Sequence, residues 1–151
     1  MSPVYELFVF DPVAGVTAVL SDLLKVELPP SFPDAVSVVL LELAGERASD
    51  IHRLVDNGRV FSRDELGHLL TGAAVGSGWF FVGAPARLGD TVPAVDIPAM
   101  LRQSAFVVDV LEGRVLGVHT VSESLADAAR QVIVDGGEVS RRELHEVRLL
   151  Y

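Results

Sequence analysis

Chemistry in a chain of this kind has to come from a small set of side chains, and the pair best placed for it is Asp109 and His119. They fall in two Val-rich runs, Ala105–Leu111 and Val115–Thr120, joined by Glu112-Gly113-Arg114. Two β-rich runs separated by a three-residue Gly turn read as an antiparallel hairpin. Residues on adjacent strands of a hairpin come within reach of one another. A carboxylate beside an imidazole tunes that imidazole as a base near neutral pH. Ser104, just before the first run, is the hydroxyl that such a base could serve. The competing expectation for His119 is a packed histidine inside a strand, with Asp109 and Glu112 as turn and edge residues.

No other motif points to a reaction. His52, His68 and His145 sit among Arg, Glu and Gly on expected helix faces, and none of the histidines forms HExxH or has a carboxylate at ligand spacing. No metal site or cofactor is expected. The chain has no cysteine, which excludes disulfides, thiolate ligands and thiol nucleophiles. Gly72–Gly78 lacks the Lys-Ser/Thr of a phosphate loop and precedes a strand instead of a helix. Ser122 and Ser140 read as helix caps, and no serine lies in GxSxG.

The elements that would carry these residues alternate between strand and helix. Tyr5–Phe10 reads as a strand, and Val13–Lys25, behind Pro12, as an amphipathic helix. Val36–Leu41 is an unbroken apolar run of the kind buried on both faces of a sheet. Ser49 opens a helix through Val55 that Asn57-Gly58 ends, and Ser62-x-x-Glu65 caps another over Arg63–Leu70. Gly72–Gly78 has linker composition, and Trp79–Val82 reads as a strand. Asp96 caps Ile97–Gln103, and Ser122 caps Glu123–Val134. Val139–Tyr151 fits a helix or a closing strand equally well.

One regularity cuts across these elements. Val55-Asp56-Asn57-Gly58-Arg59-Val60 and Ser62-Arg63-Asp64-Glu65-Leu66 align with Val134-Asp135-Gly136-Gly137-Glu138-Val139 and Ser140-Arg141-Arg142-Glu143-Leu144, with eight of eleven pairs identical. Helix punctuation alone accounts for the Gly, Ser and Glu matches but not for Val-Asp, Arg and Leu. Together these readings give an α+β fold: a small mixed or antiparallel sheet with helices on one face. They also suggest an internal duplication of a β-α-β-β-α unit of about 75 residues with pseudo-twofold symmetry. The units would be 1–72 and 73–151, packed as one compact domain along an apolar seam.

Two short stretches resemble parts of known families. Leu54–Leu66 resembles the helix–turn–helix opening of winged-helix response-regulator DNA-binding domains. Leu69-Leu70-Thr71-Gly72-Ala73-Ala74 stands where the basic recognition helix would be, so DNA binding is not implied. Ala126–Ala129 with Gly136-Gly137-Glu138-Val139 is similar to a step of the glyoxalase-like vicinal-oxygen-chelate fold, which duplicates a small βαβββ unit. The His and Glu metal ligands of that fold have no counterparts here.

Composition sets the class of partner. The 151 residues carry 12 basic and 21 acidic groups, a net charge of −9, and 50% apolar residues. That balance argues against nucleic acid, where affinity comes from Lys and Arg. No stretch approaches the ~20 apolar residues of a membrane span, and a cytoplasmic protein is expected. A mean hydropathy of +0.41 leaves room for apolar surface covered by a second copy. The first expectation is therefore a non-catalytic acidic protein-binding module, an accessory, assembly or toxin-neutralising partner of a basic protein. Its charge is concentrated in residues 1–75, at −6 against −3 for 76–151, which points to Asp50, Asp56, Asp64 and Glu65. Trp79 could anchor the partner or pack the seam. The alternative is a small-molecule-binding protein or cofactor-free enzyme with a pocket at the seam, using His119 with Asp109 or Ser104.

Overall fold

The computed structural model describes residues 3–45, 49, 60–71, 73–83, 97–133 and 137–147. Six strands form one sheet: β1 (Pro3–Phe10), β2 (Val36–Gly45), β3 (Ala73–Val82), β4 (Phe106–Leu111), β5 (Val115–Thr120) and β6 (Ser140–Glu143). Their order is β2-β3-β4-β5-β1-β6, and every neighbouring pair is antiparallel. The helices are α1 (Val16–Leu24), α2 (Arg63–Leu69), α3 (Ile97–Gln103) and α4 (Glu123–Val132), and a 3-10 turn (Leu144–Glu146) follows β6. The fold is α+β, and its sheet is antiparallel throughout.

Strand alternation divides the interior into two layers. On one face Leu7, Val9, Phe80, Val82, Phe106, Val108, Val110, Leu116 and Val118 pack against α1, α2 and α4. On the other, Val4, Phe81 and Val107 pack against Met100 and Leu101 of α3 and against Val147. The expectation of helices on one face is thus corrected. A sheet whose central strands are apolar on both sides has to be covered twice, and α3 supplies part of the second cover. Ser62 and Ser122 cap α2 and α4 as expected, accepting from the backbone N–H of Glu65 and Leu125.

Two other expectations change. Val36–Leu41 belongs to an edge strand, half-exposed along much of its length, not to a strand buried on both faces. From Ala73 to Gly78 this stretch is no linker, because it forms the first part of β3, which pairs with β2 from Ala73 and with β4 from Gly78 onward. Its small residues provide space. A Cβ on Gly78 would lie 2.6 Å from the Phe80 ring. The hairpin β4–β5 stands as read, with Glu112 and Gly113 taking positive φ (53° and 66°) in its turn. Residues 139–151 resolve, as far as Val147, into β6 and the 3-10 turn. Of the expected Ser49–Val55 helix only Ser49 is among the described residues; the rest of it, its Asn57-Gly58 end and the Asp96 cap lie outside them.

The internal duplication is not confirmed. Ser62–Leu66 opens helix α2, whereas its aligned partner Ser140–Glu143 is strand β6. Helices α1 and α3, which a repeated β-α-β-β-α unit would make equivalent, lie on opposite faces. The sheet takes β1 and β2 from residues 1–72 and the four strands between and beside them from 73–151.

The core makes a direct prediction. Phe80→Ala, which empties a fully buried ring site in β3, should cost about 3–5 kcal/mol. Phe10→Ser, at 68% exposure, should stay within about 0.5 kcal/mol of the parent. Urea denaturation of both variants measures the difference.

Candidate functional site

The expected Asp109–His119 pair exists, and it belongs to a larger cluster. On the α3 face of the sheet, β1 pairs Glu6 directly with His119 on β5, and β4 pairs Asp109 with Gly117, two residues before His119. The His119 ring lies between the two carboxylates. Nδ1 is 2.6 Å from Glu6 Oε2, and Nε2 is 2.9 Å from Asp109 Oδ1. Both carboxylates can only accept, so both ring nitrogens donate and the ring is an imidazolium. On the next strand Arg142 places Nε 2.6 Å from Glu6 Oε1 as an ion pair. The result is a row of alternating charge, Arg142, Glu6, His119 and Asp109, across β6, β1, β5 and β4.

The row is dry at its centre. His119 and Asp109 are 0% exposed and Glu6 is 1%, while Arg142 is half-exposed and reaches in from the sheet edge. Burial by itself pushes the His119 pKa down. The hydrogen bonds and negative charges of Asp109 and Glu6 outweigh it and hold the pKa at about 9, against the ordinary 6.5. The ring of Phe8 closes edge-on over His119, with centroids 5.7 Å apart.

Gly117 makes the diagonal contact sterically allowed. A Cβ there would collide with Asp109 Oδ1 and stand 3.1 Å from both His119 Nε2 and the Phe8 ring. Only a glycine leaves Asp109 a path across β5 to the imidazole.

The other expected site residues lie elsewhere. Ser104 is buried at the end of α3, its hydroxyl unpartnered, and no hydrogen bond joins it to His119. Trp79 sits opposite Asp109 on β3, half-buried, and packs edge-on against Phe81 at 5.5 Å. Asp64 is exposed and Glu65 half-buried in the first turn of α2. Asp50 and Asp56 lie outside the described residues. Among the described residues no group of three or more His, Asp or Glu is arranged to hold a metal ion, and no helix is long and apolar enough to cross a membrane. Glu6 and Arg142 were missed by sequence reasoning. The available signal was Glu6 itself, a lone acid inside the aromatic strand Tyr5–Phe10.

No protein-family model, curated protein or solved structure matches this chain.

As a unit the cluster holds a proton between two carboxylates at neutral pH. It offers no lone pair to a substrate, because both imidazole nitrogens already donate.

Two predictions follow from this geometry. His119 binds its proton more tightly folded than unfolded, so its contribution to stability is complete below about pH 6.5 and is lost as pH rises through about 9. The difference between these values corresponds to about 3 kcal/mol. Imidazole resonances followed by NMR should titrate near 9, and the alkaline loss of stability should vanish in His119→Asn. In Gly117→Ala the new methyl forces Asp109 off His119, so the same NMR titration should show a lower midpoint than the parent. A midpoint unchanged from the parent would contradict the packing described.

Proposed function

We propose that this chain is a non-catalytic acidic protein-binding module that takes a basic partner, of the accessory, assembly or toxin-neutralising type. The observation that carries the reading is the saturation of His119. The Glu6–His119–Asp109 constellation, which is suited to acid–base chemistry, is buried and internally neutralised. Against the alternative of an enzyme or small-molecule pocket at His119, a base with no free nitrogen and no exposure has nothing to offer a substrate.

What remains for function is the surface. The net charge of −9 speeds encounter with a basic protein and repels nucleic acid. Asp22, Glu27, Glu42 and Asp64 are exposed on or beside α1, β2 and α2, which supports placing the interface on the first half of the chain. A depression of about 270 Å³ between α1 and α2, lined by Ser21, Lys25, Asp64 and His68 among others, adds relief to that side. A cytoplasmic setting and association of copies belong to the same proposal.

The test reverses charge where the reading puts the interface. Tagged protein should recover a basic protein from the native host at low salt, and less of it as salt rises. With the purified partner, Asp22, Glu27, Glu42 and Asp64 changed together to Lys should slow association about tenfold or more. An association rate insensitive both to salt and to these changes, or no basic partner at any salt, overturns the proposal. A thermal-shift screen that finds a metabolite stabilising the parent but not His119→Asn would favour the pocket reading instead.

A further inference from the structure

The last strand has little apolar anchorage of its own. Ser140, Arg141 and Arg142 are exposed and Glu143 is half-buried. The strand adds to the outer edge of β1 through four residue pairs, from Pro3–Glu143 to Glu6–Ser140. The chain is pinned on either side of it. Ile133 is 2% exposed in the first core layer, and Val147 is 7% exposed in the second beside Val4 and Leu144. Along Ser140–Glu143 the side-chain contacts to β1 are polar and converge on one residue. The Ser140 hydroxyl donates to the Glu6 carbonyl at 3.3 Å, and Arg142 pairs with the Glu6 carboxylate at 2.6 Å.

We propose that β6 is a charge-latched strand: the ion pair between Arg142 and buried Glu6 holds it closed, and loss of that pair lets residues 140–143 lift from β1 while Ile133 and Val147 stay packed. A strand that buries no side chain gains little from the hydrophobic effect, so its local opening free energy is set by its ladder and by this pair. Lifting uncovers the backbone edge of β1 from Pro3 to Glu6 and brings the Glu6 carboxylate to water.

The charged groups facing Glu6 are His119 from β5, itself held by Asp109 from β4, and Arg142 from β6. Glu143 and Glu146 line the depression beside Arg142.

Hydrogen–deuterium exchange resolved to the β1–β6 and β4–β5 ladders tests this. At neutral pH, Arg142→Gln should speed exchange in the β1–β6 ladder about tenfold or more, with β4–β5 protection unchanged. Arg141→Gln, one residue away on the same strand, should match the parent. Arg142 is half-exposed, so its variant keeps the core intact even if Glu6→Gln does not fold. The proposal is overturned if Arg142→Gln leaves β1–β6 protection unchanged, if Arg141→Gln opens it equally, or if both ladders open together in the variant.

Discussion

Two carboxylates sealed inside an apolar sheet set the terms for the rest of this molecule. Removing a carboxylate from water costs several kcal/mol even after relaxation. Glu6 and Asp109 are nearly or wholly inaccessible, and both are served by one imidazole that has to carry a proton to satisfy them. The other cation, Arg142, comes from the sheet edge and balances the remaining charge. No member of the row can be removed without leaving a buried charge uncompensated, and that asymmetry gives the cluster its structural weight.

The same constraint explains local choices that otherwise look arbitrary. Gly117 stands where any side chain would block Asp109, so a residue normally unfavourable in a strand is required there. Phe8 shuts out water that would otherwise weaken the interaction. The cluster also sets register. Sliding β1 by one residue against β5 would turn Glu6 toward the α1 and α4 layer and leave His119 without one of its acceptors. Buried ion pairs add little net stability compared with well-packed apolar residues, but they penalise wrong pairings severely. Four strands that meet through a single charge row are protected from slipping in this way.

Much of the framework was legible in the sequence because it depends on local chemistry. The hairpin turn and the Ser62 and Ser122 caps follow from backbone hydrogen bonding and from a glycine that tolerates positive φ. The Asp109–His119 contact was legible for the same reason, since a short hairpin fixes which residues face one another. Glu6 was not, because its partner lies 113 positions away and only the order β4-β5-β1 brings them together. The linker reading of Gly72–Gly78 failed because small residues signal either freedom or close packing, and composition does not distinguish them. The repeat shows the limit from the other side. Ser-Arg-x-Glu-Leu is a helix start at Ser62, where Arg63 bonds Asp34 and the carbonyls of Leu24 and Val26. At Ser140 nearly the same letters form a strand, because the outer edge of β1 offers a backbone ladder and the Glu6 carboxylate for Arg142.

That contrast bears on how the charge of the chain is divided. Arg63, Arg114 and Arg142 each pair with a carboxylate within the fold, on Asp34, Asp11 and Glu6 respectively. Each such pairing consumes a cation from a set already smaller than the set of acids. Asp34 and Asp11 are held below the usual carboxylate range by hydrogen bonds from their arginines, so they stay ionised while remaining locally neutralised. The surplus negative charge is thereby left to the other acids, and those on the surface of the first half are exposed to solvent. Arg142, Glu6, His119 and Asp109 together sum to no net charge, so the negative surplus of the chain is carried wholly outside the buried row.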